Sequence, residues 1–436
     1  MTLVVGMARS GVAAAQLLQS RGRPVFVTDS GKPGASAELD ALGIPWEAGG
    51  HKVERFLKAD EIVVSPGVPL DIPPLKAARE KGVPIVSELE LASRHLQGDI
   101  IGITGSNGKT TTTTLVGKIL KAGGKRVQVG GNIGTAMCGL VDTSTPDTLN
   151  VIEVSSFQLD AIVKFRPRVA ALLNVTPDHL DRYADFAAYR KSKLRIFENQ
   201  QATDLAVLNR DDANVFPPPA GLRSRQSLFS RTDKVDAGAF RYDGMLYLKG
   251  EPVMAASDVR LRGEHNIENV LASLAITSDY GIPNPTLAAA IGDFRGVEHR
   301  LEYVATVRGV EFFNDSKATN VDSAIKAVAS FEGNVILILG GRDKGASYAP
   351  LVSAMRGKVR HVVLIGEAAE KIAAAVGTLF PFTRAGSMKE AVQQSVSIGK
   401  PGDVVLLSPA CASFDMFENY EHRGRVFKDL VQELQG

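Results

Sequence analysis

The sequence predicts an α/β protein of more than one domain, on three observations. Its 436 residues exceed the roughly 250 to 300 at which single cores stop growing. Short apolar runs alternate with helical stretches along the whole chain, the rhythm of parallel sheets covered by crossover helices. Several of those runs pass straight into glycine-bearing turns, where such folds hold their ligands.

In chain order, a strand at Leu3–Val5 meets Gly6 and continues through Ser10 and Gly11 into a helix rich in alanine and leucine. A second strand, Pro24 to Thr28, ends at Asp29. Asp29 stands where a dinucleotide fold keeps its ribose-binding acid, but GMARSG lacks the G-x-G-x-x-G spacing; nucleotide binding is the favoured reading and an ordinary strand-end aspartate the other. A third strand, Glu61 to Val64, leads into SPGVP, where Gly67 either admits a ligand close to the backbone or only makes the turn. The stretch SELELASRHLQGD then forms a boundary region near residue 92.

Strands follow at Ile100–Thr104, Arg126–Val129, Asn150–Val154 and Ala170–Asn174, with a strand-rich patch at FRYDGMLYLKGEPV and a helix over HNIENVLASLAITSDYG. From about Arg295, strands at Val335–Leu339, His361–Ile365 and Asp403–Leu407 are each followed by glycine or a polar loop, including GGRDKG and SPACASFD. The resulting division is 1–91, 92–294 and 295–436.

A formal net charge of +2 gives no long-range field of the kind nucleic-acid binders use, and no basic stretch is interleaved with aromatics. No apolar run reaches the roughly 18 residues of a membrane span, and the first residues, MTLVVGMARSG, do not read as a signal peptide. The only cysteines, Cys138 and Cys411, are far apart, which argues against a disulfide scaffold or a cysteine-rich metal site. A cytoplasmic monomer is expected.

The most informative segment is IIGITGSNGKTTTTT. A strand feeds a glycine turn, formed by Gly105, Ser106, Asn107 and Gly108, whose amides can surround phosphate oxygens. Lys109 can reach terminal phosphates, and the hydroxyl of Thr110 or Thr111 can join a magnesium shell. The strict pattern G-x-x-x-x-G-K-[ST] asks for glycine at Ile103 and fails, leaving the shorter G-x-x-G-K-T form. Glu153, at the end of a later strand, could serve magnesium directly or through water, or be a solvated strand end. His179 in NVTPDHLDRY could bind metal or guide a reacting group, or fill a capping pocket. By pattern alone, Lys193 in AAYRKSKLRIF reads as part of a basic solvated helix face, with a buried lysine of altered chemistry as the other reading.

Taken together, TGSNGKTTTT, GGNIG, EVSSFQLD, NVTPDHLDRY, HNIENVLA, NDSKATN and SPACASFDMFENYEHRG resemble the Mur ligases of bacterial cell-wall synthesis over essentially the whole chain. The phosphate loop and the His179 motif are shared with folylpolyglutamate synthetases. NDSKATN and SPACASFD point more narrowly to members that add D-glutamate to UDP-N-acetylmuramoyl-L-alanine. The resemblance implies three domains: a nucleotide-binding-like one gripping the uridine nucleotide, a central P-loop ATPase, and a Rossmann-like one serving the amino acid. It also implies ATP and Mg2+, with the substrate carboxylate attacking the γ-phosphate and the amine attacking the acyl phosphate.

Residue by residue, it implies phosphate contacts at Lys109 and Thr110, magnesium at Thr110, Glu153 and His179, and a muramoyl contact at Asn132. Lys193 matches a lysine carbamylated by CO₂, which replaces the solvated-face reading. Asn269, Arg300 and Asp315 match positions around ATP. Lys317, Thr319, Lys344, Ser413 and Phe414 match the D-glutamate pocket, with Tyr420 where a related enzyme has phenylalanine. Arg9, Ser10, Gly11, Asp29, Ser30 and Gly67 match the uridine end, although GMARSG departs from a more glycine-rich loop. Two alternatives share the ATP machinery: another amide-forming member of the group, and a P-loop ATPase without ligation, which leaves the C-terminal carboxylate-binding candidates unexplained.

Overall fold

A computed structural model describes residues 1–31, 35–176, 182–261, 263–343, 345 and 347–434, all but the side chain of Asp322. His179 and Lys344, both expected site residues, lie outside the described residues. The chain forms two compact units, Met1–Val259 with Glu264–Asp293, and Arg260–Gly263 with Phe294–Gly436.

The first unit contains two sheets. One is five-stranded and parallel, in the order Trp46–Glu47, Val25–Thr28, Thr2–Val5, Glu61–Val64, Ile85–Ser87. Its strand order reverses between Thr2–Val5 and Glu61–Val64, so the GMARSG and SPG turns share one crevice at the carboxyl ends. The second sheet is nine-stranded. Its parallel heart runs Val169–Leu172, Asp99–Thr104, Thr148–Glu153, Arg126–Gly131, which brings the phosphate loop, Glu153 and the GGNIG turn to the same end. FRYDGMLYLKGEPV forms antiparallel strands at the far edge, and the expected helix is Glu264–Thr277.

SELELASRHLQGD is not an open linker. Ser87 caps the helix Glu88–Ser93 by accepting from Glu90 N at 3.2 Å, and Glu88, Leu89, Glu90, Leu91 and Ala92 are all buried. The Glu90 carboxylate accepts from the amides of Val163, Lys164 and Phe165 at 2.9, 2.9 and 2.8 Å. That bond set ties the segment after the five-stranded sheet to a loop of the nine-stranded one.

The second unit is a six-stranded sheet ordered Glu302–Val307, Val310–Asn314, Val404–Leu407, Val335–Gly340, Val359–Ile365, Phe382–Arg384, parallel but for its first pair. Along its central strand, Val335, Leu337 and Leu339 pack into one core while Ile336 and Ile338 pack into another. Burial on both faces is why these strands read as unbroken apolar runs. NDSKATN, GGRDKG and SPACASFD all follow carboxyl ends of neighbouring strands. Among the described residues no helix is long and apolar enough to cross a membrane.

Candidate active site

The phosphate loop leaves Asp99–Thr104 at Gly105 and enters the helix Lys109–Ala122. Gly108 precedes that helix at φ +82° with no side-chain cap, and the first turn of a helix is where backbone amides and the helix dipole favour an anion. A Cβ on Gly108 would lie 2.2 Å from Asn269 Oδ1, so glycine here is what lets the helix Glu264–Thr277 close on the loop. Lys109 Nζ folds back to donate to Gly105 O at 2.8 Å and Ser106 O at 2.9 Å.

Glu153 is only 2% exposed, which rules out the solvated strand end. Its Oε2 accepts from Thr110 Oγ1 at 2.7 Å and its Oε1 from Asn132 Nδ2 at 2.9 Å. The Asn132 amide also donates to Glu153 O at 2.9 Å. Thr110, Glu153 and Asn132, predicted separately, are therefore one hydrogen-bonded group beside the loop. Among the described residues no three or more His, Cys, Asp or Glu side chains form a metal cage; a magnesium ion here would complete its shell with nucleotide and water oxygens, as that ion commonly does.

Lys193 is also 2% exposed. Its Nζ donates to Gly105 O at 2.8 Å and lies 4.7 Å from the centre of the Tyr189 ring. The solvated-face reading fails because AAYRKSKLRIF turns this residue inward while Lys191 stays exposed.

At the other sheet, Gly6 has φ +105°, and a Cβ on Gly11 would meet Gly6 O at 1.9 Å. The helix Arg9–Ser20 starts there without a side-chain cap. Asp29 holds this turn: Oδ2 accepts from Met7 N and Oδ1 from Gly31 N, both at 2.7 Å. Arg9 and Ser30 are exposed, as is Gly67, where a Cβ would meet nothing within 4 Å. Thus no contact among the described residues demands glycine at 67.

In the second unit three loops interlock. Ser408 Oγ donates to Asp315 Oδ2 at 2.8 Å, Ala410 N to Ala318 O at 2.9 Å, and Arg342 N to Ala412 O at 2.8 Å. Arg423, in the helix Tyr420–Glu433, is fully buried. Its Nε and Nη2 donate to Ser316 Oγ and O at 2.9 and 2.8 Å, and Nη1 and Nη2 reach Cys411 O at 3.2 Å. Burial pulls this guanidinium down to about 10. Burial pushes the Asp315 carboxyl up to about 7, against the hydrogen bonds from Ser408 and the Leu301 amide and the charges of Arg300 and Arg423. Lys317 Nζ lies 5.5 Å from the centre of the Tyr420 ring. Ser413 is buried, Thr319 half-buried, Arg300 exposed, and Phe414 is 65% exposed.

Comparison with known proteins matches residues 1–87 to the Mur ligase MurD-like N-terminal domain, 103–277 to the Mur ligase middle domain and 299–411 to the Mur ligase glutamate ligase domain. The chain belongs to the Mur ligase family. It is 48% identical to UDP-N-acetylmuramoylalanine--D-glutamate ligase of Acidobacterium capsulatum, over 100% of this chain and 96% of that one. It is 46% identical to the protein of the same name from Koribacter versatilis, over 99% and 97%. Among solved structures, UDP-N-acetylmuramate-alanine ligase of Thermotoga maritima matches with a TM-score of 0.61 at 20% identity over 99% of both chains. MurF of Acinetobacter baumannii matches with a TM-score of 0.61 at 14% identity over 98% and 93%. These last two likenesses speak for the fold alone.

In this Mur ligase, three groups around the loops were not singled out from the sequence. Asn174 clasps the phosphate loop, its Oδ1 accepting from Asn107 N at 2.8 Å and its Nδ2 donating to Asn107 O at 3.2 Å. Tyr189 OH meets Ser106 Oγ at 3.1 Å. Arg423 ties NDSKATN to SPACASFD. Asn174 was signalled by its place just past Val169–Leu172, the strand beside the loop's own. Arg423 carried no such signal, because an arginine one turn into an amphipathic helix usually faces water.

Proposed function

We propose that this Mur ligase joins D-glutamate to UDP-N-acetylmuramoyl-L-alanine at the expense of ATP, working with Mg2+ as a cytoplasmic monomer. The observation that carries the ATP chemistry is the Thr110–Glu153–Asn132 group beside the phosphate loop; the substrates follow from the name shared by full-length relatives at 45 to 48% identity. On this reading residues 1–91 hold the uridine nucleotide through the GMARSG turn, Asp29, Ser30 and Gly67. Residues 92–294 hold ATP, and residues 295–436 serve the amino acid.

The chemistry follows from charge. Lys109 exchanges two carbonyl partners for phosphate oxygens, and the first-turn amides of Lys109–Ala122 take the remaining charge. Asn132 orients the substrate whose carboxylate attacks the γ-phosphorus with loss of ADP. Magnesium held by Thr110 and Glu153, with His179, would neutralise the phosphates during that transfer. Lys193 as a neutral amine would take up CO₂, releasing one proton, and the resulting carbamate would be a further residue able to hold the metal. The D-glutamate amine then displaces phosphate from the acyl carbon, with Lys317, Lys344 and Thr319 pairing its carboxylates and Ser413 and Phe414 lining the pocket.

The test is incubation with ATP, magnesium, UDP-N-acetylmuramoyl-L-alanine and D-glutamate, with the product weighed by mass spectrometry. A product heavier by one glutamyl residue is expected. ATP turnover without that product would move the chain to the ATPase alternative, and ligation of a different amino acid to another branch of the family.

A further inference from the structure

A hydrogen-bond chain in the second unit, buried at its Cys411–Tyr348 end and open to solvent at Lys371, links two of the amino-acid loops and has no part in the proposed chemistry. Tyr348 precedes the helix Ala349–Met355 and is 3% exposed. Its hydroxyl lies 3.1 Å from Cys411 Sγ, in SPACASFD, and 3.0 Å from Asp343 Oδ1, in GGRDKG. Asp343 Oδ2 in turn accepts from Lys371 Nζ at 2.7 Å, on the helix Ala369–Val376.

Donor counting gives this chain a direction. Lys371 first, then Tyr348 and the Gly345 amide, hold the Asp343 carboxyl below the usual carboxylate range, so it is ionised and only accepts. Tyr348 stays a neutral phenol because burial, with Cys411 and Asp343 adding to it, pushes its ionisation well up. Its single proton therefore goes to Asp343, and the Cys411 thiol donates to the phenol oxygen. The chain reads Cys411 to Tyr348 to Asp343, closed at its outer end by the Lys371 ammonium. Beside it, Arg342 and Ala412 exchange two backbone bonds, at 2.8 and 3.2 Å. The two loops are thus fastened through backbone at Arg342–Ala412 and at Gly340 N to Pro409 O, 2.9 Å, and through one side chain, Tyr348, whose bond ends on the residue that precedes Lys344 in sequence.

We propose that Tyr348 is a positioning residue for the incoming amino acid, its hydroxyl setting GGRDKG against SPACASFD. This rests on the reading above that these loops serve D-glutamate. A merely structural Tyr348 would affect all substrates and stability alike, whereas a positioning one acts on the amino acid.

The experiment is steady-state kinetics of Tyr348→Phe, which keeps the packed ring and removes only the hydroxyl. The KM for D-glutamate should rise about five- to tenfold, the weight of one buried hydrogen bond, with kcat and the KM for ATP within about twofold. Cys411→Ser, which keeps a donor, should stay near wild type, and Cys411→Ala should fall between. A Tyr348→Phe enzyme with unchanged D-glutamate KM, or with every KM raised by one factor, overturns the proposal. Should Tyr348→Phe fold poorly, Asp343→Ala at the solvent end of the chain must give the same selective rise. If wild type ligates some other amino acid, the D-glutamate reading fails, and the same variants measured with that amino acid still decide the role of Tyr348.

Discussion

Asp315 is a carboxyl kept where its charge is expensive, and replacing it separates stability from function. Buried to 7% exposure, it is pushed from 3.8 up to about 7. Below pH 3.8 both folded and unfolded chains carry the proton, and the group contributes no difference. As pH rises from there toward 7, the unfolded chain ionises while the folded one retains the proton, so stability falls steadily. Above 7 the loss is complete, and a shift of about three units corresponds to about 4 kcal/mol. The side-chain amide of the Asp315→Asn variant does not titrate, yet it can still accept from the Leu301 amide and donate to Ser408 Oγ. The variant's stability relative to wild type should therefore climb between about pH 4 and 7 and level off above. Allowing about 1 kcal/mol for the altered Ser408 bond, the variant should be the more stable protein at pH 8 by about 2 to 3 kcal/mol while ligating at least about tenfold more slowly. Urea unfolding at pH 5 and pH 8, with slopes checked for a second transition because the chain has two units, measures it. Parallel pH curves for the two proteins would refute the reasoning.

Glu90→Ala strands the buried Phe165 amide and removes the partner of two half-buried ones, and unfolding in urea at pH 7 should show a loss of about 2 to 4 kcal/mol. Burial works against the Glu90 charge, yet the three amides and Arg94 hold its carboxyl below 4.5, so its contribution is full above that value and disappears as pH falls through the lower folded one. Lys109→Met should abolish phosphate release from ATP while leaving unfolding midpoints in place; near-normal turnover would remove Lys109 from the phosphate site. Glu153→Gln keeps a partner for Thr110 but not the charge, and should raise the magnesium needed for half-maximal rate by about tenfold or more, read from a magnesium titration of ligation. Lys193→Ala should lose a carbamate signal in carbon-13 spectra of protein equilibrated with labelled bicarbonate, and recover part of its activity with a short carboxylic acid; an active wild type with no such signal would leave Lys193 as a lysine.

The fold was legible because strands buried on both faces print as apolar runs, and because helices and glycine turns separate them. Every strand expected from residues 100–174 and 335–407 is present within a few residues of its expected ends. The failed phosphate pattern is explained as well. Ile103 lies inside the strand, fully buried and in register with Glu153, so the turn begins two residues later and needs no glycine there. What periodicity could not weigh was burial of charge. Glu153 and Lys193 each read as solvated residues by pattern, because the sheet and helix that enclose them come from segments distant in sequence. Glu88 and Glu90 looked like a polar boundary for the same reason, although each is anchored to a loop more than forty residues away, at Cys138 N and at residues 163–165.

The charged side chains around the phosphate loop also share a logic. Lys109 and Lys193 both donate to Gly105 O, so one carbonyl at the mouth of the loop gathers two lysine side chains, while Glu153 lies against Thr110 in the first turn of the helix. Such groups cost desolvation energy in an unliganded protein, and each is held by hydrogen bonds that do not need a ligand. A phosphate chain arriving at the first turn of Lys109–Ala122 would then find Lys109 already oriented at the loop, giving up two neutral acceptors for an anionic one. Exchange of neutral for anionic partners is favourable inside a low-dielectric pocket and weak in water. That difference is why Glu153 and Lys193 are placed inside the fold rather than on its surface, and why a sequence pattern that scores those two as solvated points away from their chemistry.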